Sequence, residues 1–114
     1  MGFRRPTIDE SRLLRELAAL AKCDNPDAWV ETLRVREMDD SGMGSLEIEC
    51  PSSPHADRKV TICRAAIQFT DADGVAVIAS LNAREDGVPF ELDMWKTDFT
   101  KLIRIPTQFR RVEP

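Results

Sequence analysis

The chain has 114 residues, 42% hydrophobic and 32% charged, which fits one domain with one core and is too apolar for a disordered chain. Sixteen Lys and Arg stand against twenty Asp and Glu, giving a net charge of −4 and a pI near 5.0. No global positive field is available to attract nucleic acid, and no apolar run of membrane-spanning length occurs. Cys23, Cys50 and Cys63 are odd in number and widely spaced, and His55 is the sole histidine. This excludes a C-x-x-C metal site and argues against a disulfide framework. Charges at Arg4, Arg5, Asp9 and Glu10 interrupt any secretory h-region, so the expected setting is cytoplasmic.

Thr7-Ile8-Asp9-Glu10 reads as a capping box, with Thr7 accepting an orphan amide and Glu10 reaching back. Leu13, Leu14, Leu17, Ala18 and Ala21 then recur at helical spacing, predicting an amphipathic helix that ends before Asn25-Pro26. From Trp29 to Met38 the composition turns β-rich, and a first strand is expected there. Asp39-Asp40-Ser41-Gly42 is turn chemistry. Leu46, Ile48 and Cys50 alternate with Glu47 and Glu49 as the second arm of a hairpin. Pro51 to His55 forms a loop, since two prolines lack ladder amides.

Between Val60 and Phe69 the apolar parity switches, which predicts a bulge near Cys63-Arg64. Asp71-Ala72-Asp73-Gly74 is a tight turn into Val75–Leu81. That run is apolar on both parities and is read as a central strand covered on both faces. After a polar loop around Asp86-Gly87, Phe90, Leu92 and Met94 alternate with Glu91, Asp93 and Trp95. Leu102 to Pro106 is a short strand or an extended arm, and Arg104, Arg110 and Arg111 make a basic tail. The expected architecture is a single α+β domain over residues 1–114, an N-terminal amphipathic helix packed on a four- to five-stranded antiparallel meander.

Four segments are weighed as sites. Gly42-Met43-Gly44-Ser45 lacks the strand-to-helix context of a phosphate loop and reads as a hairpin turn. Asp71 and Asp73 resemble half a calcium loop, but Asn82 stands where the closing glutamate belongs. His55 has no adjacent nucleophile in sequence. Glu91, Asp93 and Trp95 share one strand face, and with Lys96 and Asp98 they form the densest polar and aromatic string in the chain. The string is either a structural knot, with Lys96 pairing Asp98 or Asp93, or a recognition surface for a protein.

Asp40-Ser-Gly-Met-Gly-Ser-Leu46, Phe69-Thr-Asp-Ala-Asp-Gly-Val75 and Glu91-Leu-Asp-Met-Trp-Lys-Thr-Asp-Phe99, with Leu102-Ile-Arg-Ile-Pro106, are similar to the motifs D-x-G-M-G-S-L, D-x-D-G-V and E-L-D-x-W-K-x-D-F. The chain thereby resembles a family of small uncharacterised bacterial proteins, a domain of unknown function. The resemblance implies a one-domain protein and carries over no activity or cofactor. Small size, acidity and the lack of a catalytic set favour a non-enzymatic protein-binding module, immunity-like by analogy of size and charge only. Its partner would be another protein or, in a homodimer, a second copy, with no metal, no nucleic acid and no membrane. The alternative is a small hydrolase or metal-dependent enzyme using the acids of strand 90–99.

Overall fold

The computed structural model describes residues 2–49 and 62–112. Helix α1 (Ile8–Leu20) starts at the expected capping box: the Thr7 hydroxyl accepts from Glu10 N, and the Glu10 carboxylate accepts from Thr7 N. It stops at Ala21 with a Schellman pattern, Lys22 N donating to Ala19 O and Cys23 N to Ala18 O, as Lys22 swings to φ +59°. Its Leu13, Leu14 and Leu17 are fully buried, each stabilising the fold by about 1.5–3 kcal/mol.

The expected strand over Trp29–Met38 is corrected. Pro26–Thr32 is a second helix, α2, and only Val35–Glu37 is strand, β1. Asn25-Pro26 ends one helix and begins another: Asn25 Oδ1 accepts from Ala28 N, and Pro26 sits at the first helical turn, where its missing amide costs nothing. These start signals, with Val30 buried in the core, override the β preference of Trp29, Val30 and Thr32.

The remaining strands are β2 (Leu46–Ile48), β3 (Ile62–Thr70), β4 (Ala76–Ala83), β5 (Pro89–Lys96) and β6 (Arg110–Arg111). The fold class is the expected α+β, but the sheet has six strands, ordered β1-β2-β5-β4-β3-β6 with every pairing antiparallel. β3, β4 and β5 form a meander. The β1–β2 hairpin docks against β5, matching Leu46 to Leu92 and Glu47 to Glu91. The parity switch in β3 appears as a register shift between Cys63 and Ala65. Asp71-Ala72-Asp73-Gly74 closes the β3–β4 turn, with Gly74 at φ +84°.

Both helices contribute to the core side, where α1 packs on β3, β4 and α2. β4 is central, yet it is not covered equally on both sides: Val77, Ala79, Leu81 and Ala83 are buried, whereas Ala76, Ile78, Ser80 and Asn82 on the other face are half-buried. Only one parity meets the helices, and on the other Ile78 stands among the small or polar Ala76, Ser80 and Asn82. Residues 102–106 form an extended arm without ladder pairing. Its Ile105 enters the core, and Arg12 Nη2 reaches the carbonyls of Ile105 and Pro106.

The basic ends are built into the fold. Arg4 exchanges backbone hydrogen bonds with Val35 and grips Glu10 at 2.8 and 3.1 Å, while Arg110 and Arg111 extend the sheet beside β3. Cys50 and the proline loop to His55 lie outside the described residues, as does Val60. Among the described residues no helix is long and apolar enough to cross a membrane.

Candidate functional site

Three of the segments singled out in the sequence, the Gly42–Ser45 loop, the Asp71–Asp73 turn and the end of β5, meet at one end of the sheet, around Lys96. Because β5 alternates, Lys96 shares the core-facing parity of Phe90, Leu92 and Met94 and is fully buried. A buried ammonium must find acceptors for all its protons. Lys96 Nζ donates to Asp71 Oδ2 at 2.9 Å, Asp73 Oδ2 at 2.7 Å and Lys101 O at 2.8 Å.

Asp71 is equally committed. Its Oδ1 accepts from Ala72 N at 2.7 Å and Arg104 N at 3.0 Å, and its Oδ2 also accepts from Ile103 N at 2.8 Å. One carboxylate thus ties the β3–β4 turn to the end of β5 and to the C-terminal arm. Burial pushes the Asp71 carboxyl up, but the amides of Ile103, Arg104 and Ala72 and the Lys96 ammonium outweigh it and hold it below the ordinary range. Burial likewise pulls Lys96 down, and the two aspartates more than restore it, leaving its pKa raised. Both groups therefore stay charged near neutrality, so the cluster is poorly suited to proton transfer or nucleophilic attack. It is a knot.

The glycine loop fastens to the same end. Asp40 accepts from Met43 N and Ser45 N at 3.1 and 2.9 Å, and Gly42 O accepts from Leu102 N at 3.0 Å. Gly44, at φ +101°, takes a backbone conformation that strains any L side chain, and a Cβ there would lie 2.7 Å from Leu102 Cδ2 and push that side chain aside. The buried Ser45 hydroxyl accepts from Met94 N at 2.8 Å. The loop's amides are thus spent on Asp40, its Gly42 carbonyl holds the arm, and its Ser45 hydroxyl holds β5. A cleft of about 260 Å³ beside it is lined by Glu10, Glu37 and Asp40, an acidic setting that repels phosphate.

The five predicted site residues divide. Glu91, Asp93 and Trp95 share the open face of β5, Lys96 points into the core, and Asp98 sits in the following turn, where it accepts from Thr100 N and Oγ1 at 3.1 and 2.6 Å. The expected pairing of Lys96 with Asp98 or Asp93 is corrected to Asp71 and Asp73, since alternation puts Lys96 and Asp93 on opposite faces.

On the open face Glu91 accepts from Asn82 Nδ2 at 2.8 Å and lies across from Glu47, which Arg36 contacts at 2.6 Å. The carboxylate of Asp93, opposite Ser80, makes no hydrogen bond or ion pair within the described residues. Partial burial raises its pKa, and the negative charges of Glu91 and Asp40 raise it further. Trp95 is 43% exposed and pairs across the ladder with the half-buried Ile78. Glu91 and Asp93 lie on the strand face and Asp98 in the turn beyond it, and among the described residues no group of three or more His, Cys, Asp or Glu is placed to hold a metal ion.

Sequence reasoning missed Asp71 and Asp73 as partners of Lys96, and Ser45 as a buried clamp on β5. The signal was present. A lysine in phase with Phe90, Leu92 and Met94 requires buried acids, and an aspartate pair stood in the turn before β4.

Residues 3–106 match the model of a family described as a domain of unknown function, DUF6984, and the chain belongs to that family. No curated protein and no solved structure matches it.

Proposed function

We propose that this member of the family is a non-enzymatic protein-binding module whose contact surface is the open face of β5, centred on Trp95 and rimmed by Glu91 and Asp93. The observation that carries the reading is the pairing of an exposed Trp95 and its neighbour Ile78 with an acid, Asp93, whose carboxylate has no partner among the described residues. An amphipathic ring held on a rigid strand is the kind of side chain that anchors interfaces. An unpaired carboxylate beside it favours a basic partner.

The sheet edges support the face over the edge as the place of contact. The outer side of β1 is occupied by its bridge to Arg4, and β6 is two residues long, both arginine. A homodimer through the same face is the competing arrangement, and it would bring Asp93 toward its own copy. The setting proposed is a reducing one such as a bacterial cytoplasm, which suits the free thiols of Cys23 and Cys63. A net charge of −4 on 114 residues also suits an immunity-like role against a basic protein, by physical analogy alone.

The test is native co-purification from the source cells using the wild type, Trp95→Ala and Asp93→Arg, each first shown by circular dichroism to be folded. One protein of basic composition should be enriched by the wild type and fall at least tenfold with either variant. Equal recovery across the three, or no specific protein with the wild type, would sink the reading.

A further inference from the structure

We propose that Phe99 is a second aromatic anchor of this surface, and that Trp95 and Phe99 together receive a cationic segment of a partner protein that presents apolar side chains. The inference rests on the reading of Trp95 given above and extends it around the end of β5.

Phe99 has φ +64° and is 67% exposed. A bulky L-residue in the left-handed region costs on the order of 1–2 kcal/mol, and such a residue persists where something else is gained. The other non-glycine residues with positive φ have local reasons. Asn25 caps α2 with its own side chain, Lys22 stops α1 with two backbone bonds, and Ser41 sits in the loop that Asp40 closes. At position 99 the turn needs only the backbone, with Phe99 N donating to Lys96 O at 2.8 Å. Glycine or asparagine would close it with less strain. A ring two-thirds exposed recovers little of that cost by burial.

The turn is also stiff. Lys96, where it begins, is held by three acceptors, one of them Lys101 O just beyond it, and Asp98 is fixed by both donors of Thr100. An anchor on such a support loses little freedom when a partner arrives. The i to i+3 span of a turn is under 7 Å and one further residue adds about 3.8 Å. The Cα atoms of Trp95 and Phe99 are therefore at most about 11 Å apart, within reach of a single docked segment.

Charge decides the class of occupant. Asp93, on the strand face of Trp95, and Asp98, next to Phe99 in the turn, are exposed, with the half-buried Glu91 on the same face as Asp93. The exposed cations of the arm are Lys101 and Arg104, and the charges of Lys96 and Asp73 neutralise one another. A cationic segment gains from this balance, and a second copy of the chain meets its own acids.

The experiment has two arms. In the first, Phe99→Asn and Phe99→Gly are compared with the wild type by thermal denaturation, and their Tm should be equal or higher. A lower Tm for both would show that the ring serves packing and would overturn the proposal. In the second, calorimetry follows three twelve-residue peptides, alternating Lys/Leu, Glu/Leu and Lys/Ser, binding to the wild type, Phe99→Asn and Trp95→Ala. The Lys/Leu peptide should bind selectively, and each variant should weaken it at least tenfold. Unchanged binding by Phe99→Asn with loss in Trp95→Ala would overturn the role of Phe99 and leave the Trp95 reading standing. Equal binding of the Glu/Leu peptide, or no binding of any, would overturn the cationic occupant. Sedimentation showing a dimer abolished by Phe99→Asn would assign the surface to a second copy instead.

Discussion

The two faces of β5 treat charge in opposite ways. One step along the strand separates Trp95, on the face that carries Asp93, from Lys96, fully buried on the other. On the core face an ammonium and two carboxylates are matched to one another and to backbone groups. On the open face a carboxylate is left with its charge uncompensated and its pKa raised. Buried charge is tolerated only when its hydrogen bonding is complete, so Lys96 and Asp71 are explained from within the chain. Asp93 is not, and what the fold leaves unsatisfied is available to another molecule.

The largest effect expected from breaking this contrast comes from Asp71→Ala. It strips an acceptor from Ala72, Ile103 and Arg104 and leaves Lys96 with one carboxylate. Loss of one partner of a buried pair costs about 3–5 kcal/mol, and urea denaturation should show that loss together with early release of the arm in hydrogen exchange. Lys96→Met, which removes the ammonium and fills its space, should be tolerated better than Asp71→Ala, because the backbone amides keep their acceptor. The reverse order would place the weight of the knot on Lys96.

The next effect separates the faces by pH. Asp71 has a folded pKa below its ordinary 3.8, so its contribution is present above that value and is lost as pH falls through the folded pKa. Lys96 has one above its ordinary 10.5, so its contribution is present below that value and is lost as pH rises through the folded pKa. The knot should therefore give a plateau from about pH 4 to 10 with a fall at each end. In Asp71→Asn the plateau should drop and the acid limb flatten. An acid limb of unchanged steepness would show that the other carboxylates with lowered pKa values carry the acid transition, among them Glu10, held down by Arg4 and Thr7 against its burial, and Asp86 and Asp98.

How much of this was legible follows from the range of each signal. The Thr7–Glu10 capping box, the Asp71–Gly74 turn, the slip at Cys63 and the alternation of β5 act within a few residues and stood in the sequence. Helix α2 was hidden because Asn25-Pro26 carries a stop and a start at once, and its seven residues include three of β-favouring type. The docking of β2 on β5 joins residues more than forty apart, and one strand's alternation does not name its neighbour. The acids of the open face were found by parity. The same parity puts Lys96 inside, but its sequence neighbours Asp93 and Asp98 are not its partners, because a buried charge draws on whatever the topology brings up.

The smallest effect expected is the most discriminating between the faces. A raised Asp93 pKa means that its contribution to stability is present below its ordinary 3.8 and is lost as pH rises through the folded pKa. At neutral pH the folded protein thus carries a small penalty for keeping that carboxylate ionised near Glu91 and Asp40. Asp93→Asn removes the charge and keeps the shape, so it should raise stability by a few tenths of a kcal/mol, no more, because solvent screens an exposed site. The same variant should weaken capture of a basic partner. Opposite signs on stability and binding mark a group held for contact at the fold's expense, whereas Asp71→Asn at the other face should lower stability. If Asp93→Asn also lowers stability, Asp93 belongs to the knot's side of the comparison, and the open face loses its uncompensated charge.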